Sequence, residues 1–304
     1  MSSPITKLRS KKIAASVCLV LSFAFGGVTA AADETPATRE LARLEGVWSF
    51  VQVKFDGTEQ PPAGREADRM IIQKDGRYAV VQRPQITHGT IKVDPTPSPK
   101  HYDIVIGDGR LKGLSVPAIY ELSGDTLTIC MPFGGKERPT AVESKPGDHH
   151  LFEVFKREQQ DVKEALVAAG RRELAGIWQS VSYALDGKKA SDDDMKKIQL
   201  VFDADGNTKA LNDGKVFLAS STKIDPTANP ATIDIVFTEG QGKGETALGI
   251  YKIDNGVLTI CRSAPGKARP AEFTSNAGSG LTLMSYRHQA AGTKKSFRTG
   301  SATQ

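Results

Sequence analysis

Four aromatic and basic residues recur through this chain of 304 residues at near-constant spacing. Trp48, Tyr120, Arg138 and Arg157 return as Trp178, Tyr251, Arg269 and Arg287, each pair 130 or 131 positions apart. Aromatic faces beside guanidinium groups can line a mouth that recognises a small molecule, glycan or peptide. They can equally pack the base and rim of a fold through cation–π and stem contacts. Arg138-Pro139 and Arg269-Pro270 suit a rim, because proline cannot donate to a central ladder and belongs at a strand start or edge. Barrel closure is the leading expectation for this set, and ligand recognition the functional one.

Other chemistry is thinly represented. Cys130 and Cys261 also occupy equivalent positions, in Leu127-Thr128-Ile129-Cys130 and Leu258-Thr259-Ile260-Cys261. Equivalent cysteines cannot pair within one copy; they would need two domains to present these strands to each other, with Cα atoms about 5.5–6 Å apart. Alternation puts each thiol on the face opposite its aliphatic neighbours. The expectation is a pair of buried inert thiols, with an inter-domain disulfide or a reactive thiol as alternatives. His88, His101, His149, His150 and His288 do not recur in the other copy and show no metal-ligand spacing. No metal and no cofactor are expected; as a haem ligand, His150 is the least unsuitable. Asp203-Ala204-Asp205-Gly206-Asn207 lacks the closing glutamate of a calcium loop and reads as a hairpin turn. Asp192-Asp193-Asp194 reads as a solvated loop or helix start. No serine lies in Gly-x-Ser-x-Gly. Asp103 and Asp234, in otherwise apolar strands, are expected on the solvent face.

The elements that must hold these residues are themselves duplicated. Leu44-Glu45-Gly46-Val47-Trp48 returns as Leu174-Ala175-Gly176-Ile177-Trp178, so one whole domain has been copied. The first copy covers 40–157 and the second 173–288. In the first, the runs Val47–Phe55, Met70–Gln73, Tyr78–Gln82, Ile86–Val93, Tyr102–Ile106, Ala118–Leu122, Thr126–Met131, Thr140–Glu143 and Leu151–Phe155 read as strands separated by turn residues. Short strands with turn signals every 8–12 residues or so predict an antiparallel sandwich or barrel. A helical linker is expected within 158–172, where Val162, Ala165, Leu166 and Ala169 fall at helical spacing and Gly170 marks the end. A similar short helix is expected around Thr38–Leu44.

The ends carry their own signals. Lys7, Arg9, Lys11 and Lys12 precede the apolar run Ile13–Phe25 and the small residues Val28-Thr29-Ala30, so 1–30 reads as a signal peptide. That run is too short for a membrane span, which needs about 20 residues. Of the formal charge of +5, those four residues supply +4, leaving a chain near +1 with no electrostatic footprint for nucleic acid. The stretch 289–304 is small, polar and basic, and is expected to be a disordered tail. The expected location is secreted or periplasmic.

Gly46-x-Trp48 opens the first strand and Lys156-Arg157 closes the last; Gly176-x-Trp178 and Arg287 repeat the pattern. This resembles the lipocalin and wider calycin superfamily, whose signature is a first-strand Gly-x-Trp beside a last-strand Arg. The resemblance implies two tandem antiparallel calycin-like β-barrels joined by a short helical linker, and small-molecule binding. The order Leu-x-Gly-x-Trp, Ile91-Lys92-Val93-Asp94-Pro95-Thr96, Ile119-Tyr120, Asp125-x-Leu127-Thr128-Ile129-Cys130, Arg138-Pro139 is also similar to a domain abundant in planctomycete bacteria that carries no established activity. Pro117-Ala118 departs from the glycine expected before Ile119-Tyr120, and Val142 stands where the second copy has Phe273. The first copy is therefore expected to have drifted further from any ligand. The expected function is non-catalytic binding of a small, partly apolar ligand in one or both barrels. A structural or interaction module of the cell envelope with filled barrels is the alternative, and a hydrolase or isomerase ranks third.

Overall fold

The computed structural model describes residues 34–61, 65–82, 85–134 and 137–289. The expected signal peptide and residues 290–304 of the expected tail lie outside them.

The first barrel follows α1 (Pro36–Leu44) with β1 (Gly46–Phe55), β2 (Thr58–Glu59), β3 (Arg69–Ile72), β4 (Arg77–Gln82), β5 (Gln85–Asp94), β6 (Lys100–Ile106), β7 (Ser115–Ser123), β8 (Thr126–Pro132) and β9 (His150–Glu158). Each strand from β3 onward pairs with the next, β3 also pairs with β1, and β1 pairs with β9, which closes an eight-stranded antiparallel barrel. β2 is a two-residue flap on β1. α2 (Val162–Leu174) leads to the second barrel: β10 (Gly176–Leu185), β11 (Lys188–Lys189), α3 (Asp192–Met195), β12 (Ile198–Phe202), β13 (Asn207–Asn212), β14 (Lys215–Asp225), β15 (Thr232–Glu239), β16 (Thr246–Asp254), β17 (Val257–Arg262) and β18 (Thr282–His288). Its topology is the same, closed by β10 against β18. Two tandem calycin-like barrels are the architecture of this chain.

Local chemistry accounts for the details. Asp56-Gly57 and Asp186-Gly187 both take positive φ, the two-residue hairpin turn whose twist matches its strands. A bulge at Val51, and again at Val181, lets the first strand of each barrel bend around the closing sheet. Asp203 accepts from the amides of Asp205 and Asn207, so 203–207 is a turn. Ser191 caps α3, which makes the acidic run a helix start.

Two expectations are corrected. Thr140–Glu143 forms no strand; it belongs to the β8–β9 loop, which lies on the outer wall and is held there by side chains described below. Gly170 does not end α2, which runs on to Leu174. A Cβ at Gly170 would meet Ile224 at 3.0 Å and the Tyr251 hydroxyl at 3.3 Å, so glycine allows the helix to pass close to the second barrel.

α2 has two apolar sides. Ala165, Leu166 and Ala169 pack on Val47, Ile71, Ala79 and Val81, which face outward from the first barrel wall. Val167 and Leu174 pack into the core of the second barrel, beside Trp178 and Ile224. One helix thus buttresses one barrel and floors the other. α1 floors the first barrel with Leu41 and Leu44. Among the described residues no helix is long and apolar enough to cross a membrane.

Candidate functional site

The repeated polar residues take several structural places, at the base of each barrel and on its outer wall. The Trp48 indole is fully buried and donates to the Leu44 carbonyl at 3.0 Å; Trp178 donates to Leu174 at 2.7 Å. The Arg157 guanidinium lies 4.1 Å from the Trp48 ring and donates to the Arg43 carbonyl at 2.7 Å and to the Glu45 carbonyl, which ties the end of α1 to the wall. A Cβ at Gly46 would come within 2.5 Å of that guanidinium, so glycine here leaves room for it. In the second copy Arg287 pairs with Gln179 and is exposed. The ring against Trp178 is His288, at 4.7 Å and edge-on. The structural counterpart of Arg157 is therefore His288 and not Arg287, because register shifts the match by one residue.

Tyr120 donates at 3.0 Å to Glu40 of α1, whose carboxylate also meets Lys100 at 2.5 Å and Arg43 at 2.8 Å. Burial alone would raise the Glu40 pKa. The hydrogen bonds from Lys100 and Tyr120, with the Lys100 charge, hold it below its usual range. Tyr251 lacks that partner, since Gly170 stands in the place of Glu40.

Arg138 donates to the Ala118 carbonyl at 2.5 Å and to Asp103 at 2.6 Å; Arg269 donates to the Gly249 carbonyl and to Asp234, both at 2.6 Å. Both pairs staple a loop to the outside of a barrel. Beneath the same loops, the Cys130 and Cys261 thiols are buried and free, donating to the carbonyls of Glu143 and Thr274 at 3.1 and 3.3 Å. Burial pushes Cys130 up to about 11 and raises Cys261, which favours the protonated thiol in both. His150 faces Asp148 at 3.2 Å. Among the described residues no cluster of three His, Cys, Asp or Glu side chains could hold a metal.

The two interiors differ. In the first barrel Phe50 packs on Phe155 with ring centres 4.6 Å apart, and Tyr102 on Tyr120 at 5.5 Å, with Tyr78, Ile91 and Ile129 around them. One carboxyl, Glu153, faces inward here, and burial pushes its pKa up to about 7 against the opposing charge of Arg65. The second barrel encloses a calyx of about 680 Å³. Counterpart positions differ in both directions: Phe50 becomes Ser180, Tyr78 becomes Thr208, Val80 becomes Ala210 and Tyr102 becomes Ile233, while Ile72 becomes Phe202, Thr87 becomes Leu218 and Ile106 becomes Phe237. The losses, led by Phe50 to Ser180 and Tyr78 to Thr208, are larger than these gains and contribute to the space.

The calyx wall is mostly apolar, with Leu200, Phe202, Ile235 and Phe237 prominent, and it carries a few polar groups. Thr208 and Ser220 share a buried hydroxyl–hydroxyl bond. Ser180 reaches only the Met195 sulfur at 3.2 Å, and Tyr286 only the Met284 sulfur at 3.3 Å. Thioethers are weak acceptors, so both hydroxyls remain available to a better partner. Arg262 lines the calyx on the last position of β17, 5.6 Å from the Phe237 ring. Leu185, Val216 and Phe217 are exposed, and Leu185 and Phe217 also line the calyx.

None of the eight repeated residues lines this calyx. Sequence reasoning passed over Ser180, Thr208, Ala210, Arg262 and Tyr286 because it sought positions that recur. The signal lay in inward positions where the copies differ. Searches of the chain against protein-family models, curated proteins and solved structures find no match.

Proposed function

We propose that the second barrel binds a small, partly apolar molecule without chemical turnover, and that the protein does so outside the cytoplasm. The observation that carries this reading is the calyx of about 680 Å³, inside the range of about 300–1,000 Å³ typical of ligand pockets. Its apolar wall with a few convergent hydroxyls suits such a ligand better than a purely structural core. The basic and apolar segments within 1–30 support the location.

Native mass spectrometry of protein purified from its own source, before and after mild organic extraction, tests the reading. A discrete added mass that extraction removes is expected. A variant carrying Ser180→Phe and Thr208→Tyr, which copies the filling of the first barrel, should run bare while keeping its folded charge-state distribution. A bare wild-type mass that stays bare after incubation with source extract would count against the reading.

Exposed apolar side chains on the first barrel favour a different part for that copy, that of an interaction module. Leu111, Leu114 and Phe133 are exposed on its loops. Crosslinking through residues introduced beside Phe133 would capture an envelope protein if it has that part.

A further inference from the structure

The second barrel differs from the first in the charge of its inward positions as well as in their volume. Met131 on β8 packs against the apolar core of the first barrel, and its counterpart on β17 is Arg262. Alternation along β17 sends Leu258, Ile260 and Arg262 to the same side, and the first two are buried in the core. Arg262 pairs with Thr282, which pairs with Leu185, so it lies toward the open end; Tyr286 and Ser180 lie deeper. The exchange runs the other way on the last strand, where inward Glu153 becomes Met284. At these two positions the calyx has a thioether where the first barrel has a carboxyl, and a guanidinium where the first barrel has a thioether, while Glu245 stands where the first copy has Leu114.

That guanidinium lacks a counter-ion. Among the described residues Arg262 forms no ion pair; its one hydrogen bond is a long 3.4 Å contact to the Ser263 carbonyl. Glu245 also lines the calyx but forms no ion pair with it. Arginine stays protonated, and its fork of donors matches a carboxylate, sulfonate or phosphate. A fixed positive charge partly withdrawn from water, with free donors beside apolar wall, is stabilised when an anion arrives with its own apolar body.

We propose that the calyx takes an amphiphile with one acidic group, its apolar body lying deep against Phe202 and Ile235 and its acidic end seated on Arg262 near the mouth. This rests on the ligand-binding reading of the second barrel and adds the ligand's charge and direction of entry. The deep part of the wall offers hydroxyls and no charge, so the body enters first.

Two probes with the same rings test it: anilinonaphthalene sulfonate and its uncharged parent, phenyl-naphthylamine, titrated by fluorescence into the folded full chain. The wild type should bind both, the sulfonate about tenfold tighter or more, as expected of a charge-assisted hydrogen bond. Arg262→Met, the residue of the first barrel, should erase that preference while the parent still binds, and Arg262→Lys should keep part of it. The variant with Ser180→Phe and Thr208→Tyr should bind neither probe, which places both in the calyx. Equal affinity of the wild type for the two probes, or a sulfonate preference that survives Arg262→Met, would overturn the acidic-end proposal and leave the calyx reading intact. Binding of neither probe to the wild type would remove both.

Discussion

Truncating Glu40 to alanine should loosen the floor of the first barrel by a calculable amount. Its carboxylate side chain is 6% exposed and accepts from Tyr120, Lys100 and Arg43. Lys100 and Arg43 are 31% and 58% exposed and can regain water when the acceptor goes. The Tyr120 hydroxyl belongs to a fully buried residue, and orphaning such a group costs about 1–3 kcal/mol. Breaking a wholly buried pair costs roughly 3–5 kcal/mol, an upper bound for this half-exposed cluster. Alanine's helix preference returns a few tenths of a kcal/mol. The net loss should be about 2–3 kcal/mol, which a urea slope of about 1–3 kcal/mol per molar turns into a midpoint shift of roughly 0.7–3 M. The chain has two tryptophans, one in each barrel. In a Trp178→Phe background, Trp48 fluorescence therefore reports on the first barrel. Adding Tyr120→Phe to Glu40→Ala should cost less than the sum of the two single changes, because no hydroxyl is then orphaned. A loss below about 0.5 kcal/mol, or strict additivity with Tyr120→Phe, would refute the reasoning. The sign with pH is fixed as well. The folded pKa of Glu40 lies below its usual value, so its contribution is present above that usual value and fades as pH falls through the folded one. The gap between wild type and Glu40→Ala should narrow below about pH 4.

Two further outcomes are expected. His88 meets Glu173 at 3.3 Å across the two copies; burial would lower its pKa, but the hydrogen bond and charge of Glu173 and the charge of Asp108 raise it. Its stabilising effect should be full below about pH 6.5 and disappear as pH rises through the higher folded value. Thermal melts of wild type and His88→Gln at several pH values should therefore differ on the acid side and converge on the alkaline side; a constant offset would contradict this. Cys130 and Cys261 should resist a thiol reagent at neutral pH in the folded protein and react together once it is denatured, as read by absorbance or mass. Rapid labelling of either one in the native state would show that the loops above them open.

Barrels were legible in the sequence because closure writes itself into identical residues. The Gly-x-Trp pair, the alternation around Cys130 and the Asp-Gly turns each reflect a local rule, and duplication stated each rule twice. Asp103 and Asp234 were placed outward by alternation alone, and their arginine partners hold them there. The calyx followed no local rule. A cavity is the sum of small volume differences at inward positions on several strands, and no one of Ser180, Thr208, Ala210 or Ile233 is unusual by itself. Arg287 was misjudged because matching arginines by type ignores register, which is set by pairing with β10. Thr140–Glu143 has the composition of a strand, but its place was decided by Arg138 and the Cys130 thiol at long range. Gly170 looked like a helix stop, whereas packing against Ile224 and Tyr251 demands glycine inside the helix.

The way α2 lies against the first barrel is also a rule for growth. A wall built from Val47, Ile71, Ala79 and Val81 receives the leading helix of the next copy, a head-to-tail contact that would allow copies to be added without limit. The second barrel presents the matching wall as Ile177, Val201, Lys209 and Leu211, with Ile177 43% exposed and a lysine in the place of the buried alanine. At the start of α1 the contact positions of Ala165, Leu166 and Ala169 are taken by Thr35, which caps the helix, and by Pro36 and Arg39, all exposed. Lys209 at one outer face, and Thr35 and Arg39 at the other, stand where the seam has apolar contact residues, so neither outer face reproduces the seam.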